Sequence, residues 1–135
     1  MTTENSNFPQ AVGLDMGGTS IKMGVCQGTE SLAKADPIPT DGHGSVDALI
    51  DRMVDGISEL REQYPDIQAL GAGIPGFVDF ETGYLHNLTN VPGWHNVPFK
   101  HIMSQKLELT VTVENDANAM AYSERKFGAA KGMTN

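Results

Sequence analysis

The chain has 135 residues, a formal net charge of −8, 39% hydrophobic and 19% charged residues. That length supports one domain with a substantial core and is short for two. The acidic balance argues against nucleic acid or an anionic membrane as a partner, because both select a basic footprint. It also means that a phosphate ligand must be held by local amides, a metal ion or single cations against the global field.

No apolar run is long enough for a transmembrane span or a signal peptide, so a cytoplasmic protein is expected. The single cysteine, Cys26, excludes an internal disulfide and an all-cysteine metal site within the chain. Its place in an apolar strand pattern predicts a buried structural thiol.

Residues Met1 to Pro9 are polar and are expected to form a disordered tail. Gln10–Asp15 and Ser20–Cys26 read as strands, joined by Met16-Gly-Gly-Thr19, a hairpin whose two glycines allow positive φ and close backbone approach. A third strand covers Ser31 to Ala35, after which Pro37, Pro39, Gly42 and Gly44 break regular structure. From Val46 to Tyr64 the apolar residues follow the i, i+3, i+4, i+7 spacing of an amphipathic helix, with Ser45 as N-cap and Pro65 as stop.

Gln68–Ile74 is a further strand, rich in small residues. Phe77–Phe80 and Tyr84–His86 form a small hairpin around Glu81-Thr-Gly83. Asn87 to Pro98 reads as irregular, with a turn at Pro92-Gly93 and Trp94 as an anchor. Phe99–Leu107 is a short helix, Val111–Val113 a strand, and Ala117–Phe127 a helix closed by Gly128. Three strands followed by α/β alternation predict an α/β fold, a mixed five-stranded sheet flanked by helices.

Two stretches carry chemistry. At the end of the first strand, Asp15-Met-Gly-Gly-Thr-Ser20 can cradle phosphate oxygens with freed amides and hold magnesium through water on Asp15. Thr19 can add a hydroxyl, and Lys22 points either at the same place or away from it. The same letters also describe an ordinary tight turn; they are neither a P-loop nor a dinucleotide fingerprint. At the end of the last strand, Glu114-Asn-Asp116 sets two carboxylates and an amide where open α/β sheets place ligands. Asp116 can take a proton from a bound hydroxyl that Asn115 orients, or it can simply cap the following helix.

Taken together, Leu14-Asp-Met-Gly-Gly-Thr-Ser-Ile-Lys-Met-Gly-Val25, Gly71-Ala-Gly-Ile-Pro-Gly-Phe-Val-Asp79 and Val113-Glu-Asn-Asp-Ala-Asn-Ala-Met-Ala121 are far more specific than any one of them. In this order and spacing they resemble the amino-terminal half of the ROK family (repressors, open-reading-frame proteins and sugar kinases). Asn90-Val-Pro-Gly-Trp94 and Phe127-Gly-Ala-Ala130 extend the resemblance, which is strongest to the glucokinase-type members.

The resemblance implies an actin-like, ribonuclease H-like ATPase domain over residues 10–135, the amino-terminal lobe of an ATP-dependent hexose kinase. ATP, Mg2+ and a hexose, glucose foremost, are the implied ligands. Asp116 would be the general base and Asn115 would bind a ring hydroxyl. Gly76 and Phe77 would offer backbone groups to the sugar, with Asn90 near that pocket. Gly17 and Gly18, with Asp15, Thr19 and Lys22, would face the transferring phosphate.

The family's second lobe, with its glycine-rich adenosine loop, further sugar contacts and zinc site, is absent from the chain, which stops at Lys131-Gly-Met-Thr-Asn135. His86, His95 and His101 match no zinc ligand of that family and are expected at the surface. A lobe without its partner is expected to self-associate and to be inactive alone.

Two other functions fit parts of the sequence. A sugar-responsive ROK regulator would carry a helix-turn-helix before the first strand, where only about ten polar residues stand. A non-catalytic actin-like nucleotide-binding domain would explain the glycine turn but not Gly73-Ile-Pro-Gly-Phe-Val-Asp79.

Overall fold

The computed structural model describes residues 8–17, 19–28, 30–74, 77–79, 81–87 and 93–114. Two sheets and two helices account for them. The main sheet runs in the order β3-β2-β1-β5-β9, with β4 also paired to β2. In chain order its strands are β1 (Gln10–Met16), β2 (Ser20–Gln27), β3 (Glu30–Lys34), β4 (Ile38–Pro39), β5 (Ile67–Gly73) and β9 (Thr110–Glu114). β1 and β2 pair antiparallel, whereas β1–β5 and β5–β9 are parallel, so the sheet is mixed as expected.

The expected five strands become six. Pro39, read as a breaker, pairs with Ser20, and Ile38 with Ile21, at the sheet edge, where proline's missing N–H costs no ladder bond. A second sheet, β6 (Phe77–Asp79), β7 (Tyr84–Asn87) and β8 (His95–Val97), contains the expected hairpin. Its third strand, β8, replaces part of the irregular stretch expected from Asn87 to Pro98: Val97 pairs with Leu85 and His95 with Asn87.

Helix α1 (Val46–Gln63) forms because Leu49, Ile50, Met53, Ile57 and Leu60 fall on one stripe, all buried. The Ser45 side chain caps its first turn by accepting a hydrogen bond from Ala48 N at 3.1 Å, and Asp47 sits at the positive end of the dipole. Helix α2 (Phe99–Leu107) buries Phe99, Met103 and Leu107 and ends on Glu108 in the left-handed region, φ 55°. Arg61 of α1 donates to the Leu107 carbonyl at 2.8 Å, fixing one helix against the end of the other.

Both helices cover one face of the main sheet. There Val12, Leu14, Met16, Ile21, Met23, Val25, Leu70, Ala72, Val111 and Val113 meet the helical stripes, and Trp94, Leu85 and Val97 join the same core. Each such large side chain contributes about 1.5–3 kcal/mol by leaving water, so this face decides stability.

The opposite face is different. Alternation along the strands puts Ala11, Gly13 and Asp15 there from β1, Lys22, Gly24 and Cys26 from β2, and Ala69, Gly71 and Gly73 from β5. Cys26 is fully buried on this face, its thiol donating to the Ala11 carbonyl at 3.5 Å, as expected of a structural cysteine.

Of the tail expected from Met1 to Pro9, residues 1–7 lie outside the described residues. Phe8 is tied down, its carbonyl accepting from Gln27 Nε2 at 3.0 Å. Among the described residues no helix is long and apolar enough to cross a membrane.

Candidate functional site

Three parallel strands, β1, β5 and β9, end at the same edge of the main sheet. The register there pairs Asp15 with both Lys22 and Gly73, and Gly73 with Glu114. Direct ladder partners share a face, so Lys22, Asp15, Gly73 and Glu114 form one row on the face opposite the helices. With strands about 4.8 Å apart, Asp15 and Glu114 stand about 10 Å from each other across Gly73. The row behind is Gly24, Gly13, Gly71 and Thr112. Gly13, Gly24 and Gly71 are all buried; without side chains, they permit tight packing against the sheet backbone just below the two carboxylates.

This settles the direction of Lys22. Its neighbours Ile21 and Met23 are buried on the core face, while Lys22 is exposed on the face of Asp15. A cation therefore stands beside the carboxylate at the end of β1, a local exception in a chain of net charge −8.

The glycine turn grows directly from this row. Gly17 N donates to the Ser20 carbonyl at 2.8 Å, closing the link between β1 and β2. A Cβ on Gly17 would stand 3.0 Å from that same oxygen, and the φ of Gly17 is not in the left-handed range. Of the two reasons expected for glycine here, close approach holds at Gly17 and positive φ does not. Thr19 is exposed beside the turn, and its carbonyl accepts from Thr40 N at 3.1 Å. Thr40, 9% exposed, lies just past β4, so the short edge strand braces the turn from outside. Nothing in the sequence pointed to that brace, because the two threonines are far apart along the chain and pair only through the β2–β4 ladder.

On the other side of the row, Ile74 N donates to the Glu114 carbonyl at 2.6 Å. The pairing of β5 with β9 thus runs one residue past Gly73. Phe77 opens β6 with its backbone paired to Asn87, at a bulge between Phe77 and Val78. Of the predicted site residues, Asp15, Gly17, Thr19, Lys22 and the Phe77 backbone are described. Gly18, Gly76, Asn90, Asn115 and Asp116 lie outside the described residues. Glu114, noted in the sequence only as an acidic neighbour of Asp116, proves to be the row partner of Asp15 across Gly73.

His86, His95 and His101 are all exposed, as expected. Asp79, in the β6–β7 hairpin, has its carboxyl held below the ordinary value, first by the Thr82 N–H and also by the Glu81 N–H. It belongs to the hairpin and not to the row.

Comparison with known proteins places the chain in a family. The ROK family matches over residues 11–135. A glucokinase of Halalkalibacterium halodurans is 34% identical over 128 residues, covering 92% of this chain and 38% of the relative. A ROK hexokinase from Thermus thermophilus superposes with a TM-score of 0.72 at 33% identity, over 91% of this chain and 40% of that one. A ROK glucokinase from Streptomyces griseus, solved in complex with glucose and AMPPNP, gives a TM-score of 0.71 at 31% identity, over 91% of this chain and 38% of that one.

The chain thus spans about two fifths of the length of these proteins. Their shared architecture is the actin-like ATPase fold that the motifs implied, and its mixed sheet with flanking helices is the one described above. Over residues 11–135, from the first strand onward, this chain belongs to the ROK family.

Proposed function

We propose that this chain is the amino-terminal lobe of an ATP-dependent hexose kinase of the glucokinase type, working in the cytoplasm. The observation that carries the reading is the common end of β1, β5 and β9, where Lys22, Asp15, Gly73 and Glu114 stand in one row beside the glycine turn at Gly17.

Phosphoryl transfer asks mainly for positioning and charge neutralisation. Asp116 takes the proton of the sugar hydroxyl, and the freed oxygen bonds to the γ-phosphorus as the bond to the β-phosphate bridging oxygen breaks. ADP and the sugar phosphate leave. Asn115 and the backbone at Gly76 and Phe77 orient the sugar, with Asn90 at the pocket rim. The Gly17-Gly18 turn, with the Thr19 hydroxyl and Lys22, holds the transferring phosphate. A strand-end carboxylate beside the glycine turn suits Mg2+ held through water, and Asp15 is the residue that would hold it. Magnesium would supply charge neutralisation on the phosphates.

Titrating the isotope-labelled chain with Mg–AMPPNP is expected to move the amide signals of Gly17, Thr19 and Lys22, and titrating with glucose those of Gly73, Ile74 and Glu114. Binding is expected to be weak, with no measurable turnover by these 135 residues. In any longer form of the polypeptide that turns over, Asp116→Asn is expected to lower kcat by about 10²- to 10⁴-fold. Nucleotide shifts confined to the β6–β8 sheet, or a loss in kcat under about tenfold, would defeat the assignment.

A further inference from the structure

At the amino-terminal end of β1, some 17 Å along the strand from Asp15, lies a second polar row that the proposed chemistry does not use. Gln10 pairs with Gln27, and Gln27 pairs with Glu30, so the three side chains share one face of β1, β2 and β3. The Oε1 atoms of Gln10 and Glu30 are both buried and have no hydrogen-bond partner. Gln27 spends its amide on the Phe8 carbonyl, Nε2 to O 3.0 Å, which leaves its own Oε1 as a further acceptor. A buried oxygen with no donor costs stability, and a carboxylate oxygen costs most.

The surroundings favour positive charge. Helix α1 ends beside these strands: the Tyr64 hydroxyl donates to the Leu32 carbonyl at 3.3 Å in β3, and the Tyr64 carbonyl accepts from Ile67 N at 3.2 Å in β5. Ile67 is the β5 partner of Gln10. The negative end of the helix dipole therefore lies at the same corner.

We propose that Gln10, Gln27 and Glu30 form a binding site for a hard alkali or alkaline-earth cation held entirely by oxygen. Amide and carboxylate oxygens without nitrogen or sulfur are the donor set such ions select. The ion satisfies the two orphaned oxygens at once and pins the β2–β3 hairpin to β1. The site is independent of the kinase reading, standing at the far end of the sheet from the glycine turn.

The test is thermal unfolding of the chain in NaCl, KCl, CaCl2 and choline chloride at one ionic strength, with calorimetric titration of the stabilising ion. At ten times its dissociation constant, at least one of the metal cations is expected to raise Tm by about 5 °C over choline. Glu30→Gln is expected to abolish the rise and Asp15→Asn to leave it intact. If Glu30→Gln fails to fold, Gln10→Leu serves, with affinity expected to fall about tenfold. Equal Tm in all four salts, a response unchanged in Glu30→Gln or Gln10→Leu, or a response lost in Asp15→Asn would overturn the site.

Discussion

Asp79 shows how a single exposed carboxylate can hold a loop. Its Oδ1 accepts from Glu81 N at 3.0 Å and Thr82 N at 3.2 Å, and these two amides hold its pKa below the ordinary 3.8. A lowered carboxyl pKa adds stability that is present above the unfolded value and is lost as pH falls through the folded one. The hairpin is therefore expected to keep its turn down to about pH 4 and to loosen only in stronger acid. The amide signals of Glu81 and Thr82 should titrate together with a midpoint under 3.8; a midpoint at or above that value would remove Asp79 from the turn. At this scale much was legible. The letters of Asp15 and Gly17 suggested a phosphate turn, and the register of β1 against its neighbours gave Asp15 its face. The direction of Lys22 was not legible, since it depends on pairing with Asp15 across the hairpin.

Among the elements, the β6–β7 hairpin is latched to the start of α2. Lys100 N donates to the Gly83 carbonyl at 3.2 Å, Lys100 Nζ donates to the Glu81 carbonyl at 3.3 Å, and Gly83 N donates to the Asp79 carbonyl at 2.7 Å. Gly83 has φ +68°, and a Cβ there would collide with the Cβ of Lys100. Gly42 has φ +83° with nothing within 4 Å of the same added atom. Gly42→Ala is thus expected to cost about 1 kcal/mol from backbone strain alone. Gly83→Ala should cost at least about 2 kcal/mol, because the collision adds to the strain. Equal costs in urea unfolding would mean that the hairpin and helix are not locked. Helix α1 was legible from period and caps, and α2 as a short helix candidate whose bounds hold to the residue. Strands β4 and β8 were not, because two or three residues carry no period and these become strands only through Ser20–Ile21 and Leu85–Asn87 beside them.

For the molecule as a whole, the chain covers about 38% of its glucokinase relatives, so surface that a longer protein would cover is expected to seek a partner. Light scattering of the 135-residue polypeptide should show self-association. With a net charge of −8 opposing it, the association should strengthen as salt rises above about 0.1 M, where charges are screened beyond about 10 Å. A sharp monomer at high concentration and high salt would contradict this. The sequence alone determined the fold class, the family and the long amphipathic helix, because motif order, helical period and capping are read along the chain without its tertiary neighbours. Only the tertiary structure decided that Lys22, Asp15, Gly73 and Glu114 stand in one row, that Thr40 braces the turn at Thr19, and that Gln10 and Glu30 share a face. Those neighbours come from strand register, which is set by how the buried face packs against α1 and α2 and is written in no single stretch of sequence.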